Sequence, residues 1–302
     1  MTNRPVLPIR SARSPRGPNS FFTTPGFPER RSRGWGVPVR GALGRSCLAP
    51  VFLGVALLAG CGGDGEGAPR GETGPEPGAL VVIGGGLSAG NEAVYRAILE
   101  AREGDGPLCV IPTAGADPGA SARSAVERFD RWGGEGTARA LLLSLEAPEA
   151  AHAEETARSL AGCSGFFFTG GVQSRILEFF RPEGQETEAY RALMARWREG
   201  AVVSGSSAGA AMISEPMISG GPPAGRFAAE GAEGGGVQLA PGMAFLPELL
   251  VDQHFLARGR IGRLVEALGR PETPPLAAGV DEDTALLVRN GAMEVVGSSG
   301  VI

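Results

Sequence analysis

Lysine is absent from this chain of 302 residues: all 28 basic residues are arginine. That one-sidedness reads as the base composition of a genome. Histidine occurs only twice and cysteine four times. So few cysteines make neither a disulfide framework nor a cysteine-rich metal site. Nowhere do His, Cys and acidic residues recur at ligand spacing, so no metal and no cofactor is expected. No apolar run is long enough to span a bilayer. Nor is there a basic surplus where the fold should lie. Beyond residue 60, nineteen arginines face thirty-two acids, a net charge of −13. Such a body repels phosphate backbones, which excludes DNA and RNA as partners.

What is present begins with a distinct N-terminus. Residues 1–60 hold nine arginines and a single acid, Glu29. Arg40 and Arg45 precede an apolar run, 47–60, broken only by Pro50. Its fourteen residues suit the h-region of a signal peptide. The run ends Leu57-Leu58-Ala59-Gly60-Cys61, which resembles the lipobox of bacterial lipoproteins. The resemblance implies a signal region over 1–60, lipidation of Cys61, and an exported lipoprotein whose only membrane contact is that anchor, on the periplasmic or outer face. Residues 1–36 are too long and too rich in Pro and Arg for an n-region. They read as an upstream extension, with the start near Val37 or Val39. Residues 61–78 are mostly Gly, Pro, Glu and Asp, a flexible linker. One domain is expected over 79–302. Cys109 and Cys163 adjoin predicted strands and are expected to be buried free thiols, although export would permit a single bridge.

From residue 79 onward short apolar runs alternate with helical patterns. Strands are predicted at 79–83, 108–111, 138–143, 165–169 and 201–204, and helices near 91–102, 121–132, 151–160 and 186–198. In the last of these, Tyr190, Leu193, Met194 and Trp197 fall at helical spacing and form a core-facing stripe. Apolar strands separated by helices imply an α/β fold, a mostly parallel sheet with helices on both faces. Ligands then sit at the carboxyl ends of the strands, which directs attention to loops 84–90, 170–173 and 205–209. The Gly-rich stretch 220–236 reads as a surface loop or lid. Residues 277–280, 285–288 and 293–296 read as short antiparallel strands, and a final strand is expected to continue past Ser299-Gly300-Val301-Ile302.

Gly205-Ser206-Ser207-Ala208-Gly209 is G-x-S-x-G between an apolar run and a small-residue helix start, the pattern of a nucleophile elbow. The amide after the serine points where an oxyanion would form. A serine nucleophile needs a base. His152 lies in a charged helical stretch and reads as a surface residue, so His254, at the junction of an apolar run and a helix, is the better candidate. An orienting carboxylate could come from Asp281, Glu282 or Asp283, among which spacing does not choose. The order Ser, His, acid differs from that of α/β-hydrolases and argues against an ordinary esterase or lipase. Gly84-Gly85-Gly86-Leu87-Ser88-Ala89 matches a dinucleotide fingerprint. The next strand ends Ile111-Pro112-Thr113 with no acid to hold a ribose, so the loop is read instead as packing against the active centre.

Four motifs together carry a wider resemblance: Phe168-Thr169-Gly170-Gly171-Val172-Gln173, Gly205 to Ala211, Asp252-Gln253-His254-Phe255 and Gly279-Val280-Asp281-Glu282-Asp283-Thr284-Ala285. In this order they resemble the cyanophycinase branch of the peptidase E-like serine peptidase family, from about Leu80 to the C-terminus. The resemblance implies a flavodoxin-like fold related to class I glutamine amidotransferases. It implies a catalytic Ser207, His254 and Glu282, oxyanion amides at Gly171 and Ala208, and substrate contacts from Gln173, Asp252, Gln253 and Arg258. The run Arg258-Gly259-Arg260-Ile261-Gly262-Arg263 is similar as well, though Arg260 and Arg263 read equally as a solvated helix face with internal ion pairs. The family activity is release of β-aspartyl-arginine dipeptides from cyanophycin, a poly-aspartate bearing arginine on its side chains. Val172 departs from the family, which usually has a polar residue there. Two alternatives follow, an aspartyl or isoaspartyl dipeptidase of peptidase E type and a non-catalytic peptide-binding lipoprotein. The partner is a peptide, and a homodimer is compatible with the family.

Overall fold

The computed structural model describes residues 76–225 and 236–302. The expected signal region, Cys61 and most of the linker lie outside the described residues, as do 226–235 of the expected loop or lid. The first half alternates strand and helix: β1 Leu80–Ile83, α1 Glu92–Glu100, β2 Leu108–Ile111, α2 Pro118–Gly133, β3 Ala138–Ala140, α3 Glu154–Ala161, β4 Gly165–Phe168, α4 Gln173–Phe180, α5 Glu188–Arg198, β5 Val202–Ser206 and α6 Ala208–Ala211. Strands dominate the rest: β6 Met217–Gly220, β7 Gln238–Ala240, β8 Leu249–Gln253, α7 Ile261–Leu268, β9 Leu276–Val280, β10 Thr284–Arg289 and β11 Ala292–Gly297.

The helix starts are written in the sequence. Asn91 accepts the Val94 N–H, Asp117 accepts the Ala120 N–H ahead of Pro118, and Thr187 accepts the Tyr190 N–H. Each satisfies a donor that the first helical turn leaves open.

Seven strands form one sheet in the order β11-β10-β1-β5-β4-β2-β3. The strands β1 to β5 run parallel, and β10 and β11 are antiparallel additions at one edge. Alternation along the strands divides the core. Leu80, Val82, Cys109, Phe166, Phe168 and Val203 face one cluster, shared with α4 and α5. Val81, Ile83, Leu108, Val110, Phe167 and Val202 face the other, shared with α1 and α2. There Phe129 meets Tyr95 and Phe167 edge-on at centroid distances of 5.1 and 4.9 Å. Helices therefore cover both faces of a mostly parallel sheet. The carboxyl ends of β1, β5 and β4 lie side by side, and the chain leaves them at Gly84, Ser207 and Thr169.

Two expectations are corrected, and one helix is added. Residues 277–280 are not only part of an antiparallel end: β9 pairs parallel with β8, because the continuous apolar run 249–251 builds a strand there, and β9 meets the C-terminus through an antiparallel bridge from Val280 to Val301. Helix α4 has no counterpart among the expected helices, because it starts within the glycine-rich loop 170–173. Cys109 and Cys163 are not free thiols but a disulfide, with Cα atoms 5.8 Å apart. β2 and β4 are neighbours, so Cys109 within one and Cys163 just before the other point into the same buried cluster. Strand order, which the linear sequence does not state, decides that pairing.

The bridge joins positions 54 residues apart, a loop for which chain entropy assigns about 4 kcal/mol. Peptide mapping without reduction should recover the Cys109 and Cys163 peptides linked. A Cys109→Ala, Cys163→Ala variant should lose about 2–5 kcal/mol in urea unfolding. Two alkylatable thiols in the unfolded, unreduced domain would contradict the bridge.

Candidate active site

The elbow is a consequence of close packing. Ser207 follows β5 with φ 55° and ψ −109°, a conformation that costs an L-residue on the order of 1–3 kcal/mol. Hydrogen bonds hold it: the Ser207 N–H donates to the Ile83 carbonyl at 3.0 Å, and the Ser207 carbonyl accepts from Ala210 and Ala211. The turn needs both flanking glycines. A Cβ on Gly205 would stand 2.1 Å from the Gly209 carbonyl oxygen, and one on Gly209 would stand 2.5 Å from that of Phe168. Ala208 is the first residue of α6, so its N–H has no intrahelical acceptor. The 170–173 loop lies against the serine. A Cβ on Gly170 would come 3.4 Å from that of Ser207, and Gly171, at φ 144°, is backed by the Ala114 carbonyl.

His254 Nε2 is 2.9 Å from Ser207 Oγ, and His254 Nδ1 is 2.5 Å from Glu282 Oε1. An ionised carboxylate only accepts, so Nδ1 carries the proton and Nε2 accepts from the serine hydroxyl. Burial pushes the imidazole below the ordinary histidine value. The Glu282 hydrogen bond opposes that shift, and the Arg258 guanidinium adds to it. The ring is therefore neutral at pH 7, the state a base requires.

The three acids that spacing could not separate have separate jobs. Glu282 meets the histidine. Asp281 accepts the Leu256 and Ala257 N–H groups and the Ser299 hydroxyl, fixing the turn after His254. Burial pushes its carboxyl up, but these hydrogen bonds outweigh it and the net pKa lies below the ordinary value. Asp283 accepts from the Ser88 N–H, the Asn91 amide and the Ser298 hydroxyl, tying the 84–90 loop in place. That loop packs against the centre. A Cβ on Gly85, at φ 108°, would stand 2.3 Å from His254 Cε1, and one on Gly86 would stand 3.2 Å from Glu282 Oε2.

Three of the four residues assigned to substrate by resemblance are engaged within the domain. Asp252 is 1% exposed and its carboxylate is bound by two nitrogens of Arg263. Gln253 is buried, and Arg260 Nη1 donates to its carbonyl and to its Oε1 at 2.5 and 2.9 Å. Burial, then the neighbouring Arg263, lowers the Arg260 pKa to about 10, still charged at pH 7. Gln173 donates its amide to the Ile218 and Ser219 carbonyls of β6. Arg258 is exposed, and His152 is exposed as expected. Val172, at the N-cap of α4, has no side-chain acceptor for the helix and is 53% exposed.

A cleft of about 550 Å³ opens over Ser207 and His254. Besides Gly86, Leu87 and Gly170 it is lined by Tyr95 of α1 and by Ser121, Ser124, Ala125 and Arg128 of α2. The α2 residues fall at i, i+3, i+4 and i+7, a helical spacing present in the sequence but without the apolar stripe that marks a buried face. A second hollow of about 590 Å³, lined by Leu80, Trp197, Phe245 and Val288 among others, lies at the opposite end of β1.

Arg263→Ala would take from buried Asp252 its two guanidinium hydrogen bonds and leave it the Gln253 N–H and Arg260 at 3.7 Å, a loss on the order of 3 kcal/mol, read as a drop in the urea midpoint. A change within 0.5 kcal/mol, the range of an ordinary surface substitution, would contradict the role given to that pair. The acid limb of kcat/KM should report His254 with a pKa below 6.5, activity failing as pH falls through it. Arg258→Gln removes a like charge, so the limb should move to higher pH, and by less in high salt because Arg258 is exposed. An unmoved limb would exclude Arg258 from the electrostatics of the site.

Comparisons with known proteins converge on this domain. Residues 80–296 match Peptidase family S51. The chain is 32% identical over 228 residues to the cyanophycinase of Trichormus variabilis, covering 74% of this chain and 72% of that protein. It is 34% identical over 200 residues to the cyanophycinase of Synechococcus elongatus, covering 65% of this chain and 58% of that protein. A solved peptidase from an acI-B1 Actinobacterium shares the fold, with a TM-score of 0.58 at 22% identity, covering 76% of this chain and 91% of that one. With the fold, the elbow and these relatives in agreement, the chain belongs to Peptidase family S51.

Proposed function

We propose that this peptidase cleaves a cyanophycin-type substrate by a serine mechanism in which Ser207 is the nucleophile, His254 the base and Glu282 the orienting carboxylate. The observation that carries the reading is the unbroken hydrogen-bonded chain from the strained Ser207 through His254 to Glu282. Ser207 Oγ attacks the amide carbon and its proton passes to His254 Nε2. The amides of Ala208 and Gly171 face the tetrahedral oxyanion. The C–N bond then breaks, the imidazolium proton goes to the leaving amine, and water hydrolyses the acyl-enzyme through the same base. Glu282 keeps the proton on Nδ1 throughout.

The substrate class is inferred from relatives named cyanophycinase, and β-Asp-Arg is the expected product. A second reading, an aspartyl or isoaspartyl dipeptidase, draws support from Val172 beside the oxyanion loop. An exported location, with Cys61 as a lipid anchor, is in keeping with the buried Cys109–Cys163 bridge, since such bonds persist in oxidising compartments.

The purified protein should release soluble β-Asp-Arg from insoluble cyanophycin, and Ser207→Ala should lower kcat by on the order of 10⁴-fold or more while keeping the fold. Turnover of isoaspartyl dipeptides but not of cyanophycin would select the second reading. Comparable turnover by Ser207→Ala would overturn the mechanism.

A further inference from the structure

The cleft over Ser207 holds a charged group that the serine mechanism does not use. Its lining residues are glycine, apolar, hydroxyl-bearing or aromatic, apart from His254 and Arg128. Arg128 is half-buried on the α2 wall. Its Nη1 donates to the Leu87 carbonyl at 3.3 Å, and its charge acts on the Tyr95 hydroxyl, opposing the larger upward push of burial on that group. Leu87 and Tyr95 line the same cleft, so the guanidinium is fixed at the wall rather than trailing into solvent.

Among the described residues no carboxylate lies within ion-pair distance of Arg128. Several other described arginines have such a partner. Arg96, Arg181, Arg191, Arg263 and Arg270 each pair with an acid. A guanidinium presents five donors, and the Leu87 contact leaves donors unassigned. Ser124 and Ser121 stand on the same helix face, one and two turns before it respectively, both only partly exposed. This makes a row of hydroxyl and guanidinium donors along one wall of an otherwise neutral cleft. A planar carboxylate matches the guanidinium fork, whereas a basic side chain would meet a like charge.

We propose that Arg128 is a specificity-determining residue that binds a free carboxylate of the peptide held over Ser207, with Ser121 and Ser124 as flanking donors. The proposal deepens the peptidase reading above and rests on it for the location of the substrate. It assigns the α2 wall to an acidic group of the substrate and leaves guanidinium groups to the other, acidic surfaces of the domain.

Binding separates this proposal from catalysis. In the Ser207→Ala protein, β-Asp-Arg would be compared by calorimetry with two carboxamides, each blocking one of its two free carboxylates. One carboxamide should bind about 10–100-fold more weakly than the diacid, the range expected for a hydrogen bond to a charged group. Adding Arg128→Gln should weaken the diacid by the same factor and abolish its advantage over that carboxamide. Arg128→Lys, which keeps the charge without the fork, should fall between. Circular dichroism and the urea midpoint would verify that each variant is folded.

The proposal is overturned if the diacid and both carboxamides bind alike, if Arg128→Gln still discriminates, or if the diacid does not bind. A discrimination that depends on Arg128 in a protein whose wild type hydrolyses nothing would support the subsite while refuting the catalytic reading. An inactive Ser207→Ala beside an active wild type, with binding indifferent to Arg128, would do the reverse.

Discussion

The geometry at Ser207 depends on two adjacent carbonyl groups. Gly84 accepts the His254 N–H at 2.6 Å, and Gly85 accepts the Asp283 N–H at 2.9 Å. These bonds bring the end of β8 and the turn between β9 and β10 onto the end of β1. β1 is itself paired with β5, whose last residue leads into Ser207. One two-residue stretch therefore sets the base and the acid-bearing turn in register with the nucleophile. A side chain at Gly85 would occupy the space of the imidazole ring, so the glycine-rich turn that mimics a dinucleotide site is required here by His254.

Around that junction, charge is used for position. Arg263 and Asp252 are both nearly inaccessible, and Arg260 closes over the Gln253 carbonyl. The cluster grips the two residues immediately before His254, which itself takes a φ of 48°. A buried ion pair contributes little net stability but is costly to break. Its effect is to fix one conformation for the end of β8. Asp281 and Asp283 act similarly on the loops on either side.

Much of the parallel half of the fold could be read from local pattern. The strands 108–111 and 165–168 were bounded almost to the residue, because apolar runs flanked by Gly and Pro leave few other solutions. The elbow was legible for the same reason, since a serine between two glycines after a strand has little freedom. What local pattern could not provide was pairing across distance. β8 and β9 are far apart in sequence and parallel, and the cysteines meet only because β2 and β4 are neighbours. The separate roles of Asp281, Glu282 and Asp283 depend on which segment each faces. Asp252, which the resemblance assigns to substrate, is paired with Arg263 eleven residues away, the internal ion pair that is one of the two readings of that arginine. Arg128 gives no signal in the sequence, because its helix face is largely polar and such faces are normally solvated.

The central claim is that Ser207 is activated by His254. Intact-protein and peptide mass spectrometry after reaction with a fluorophosphonate tests it most directly. One adduct should form, on Ser207, with a rate that rises with pH as His254 loses its proton and that collapses in His254→Ala. An adduct on another residue, or labelling of Ser207 at the same rate without His254, would contradict the account.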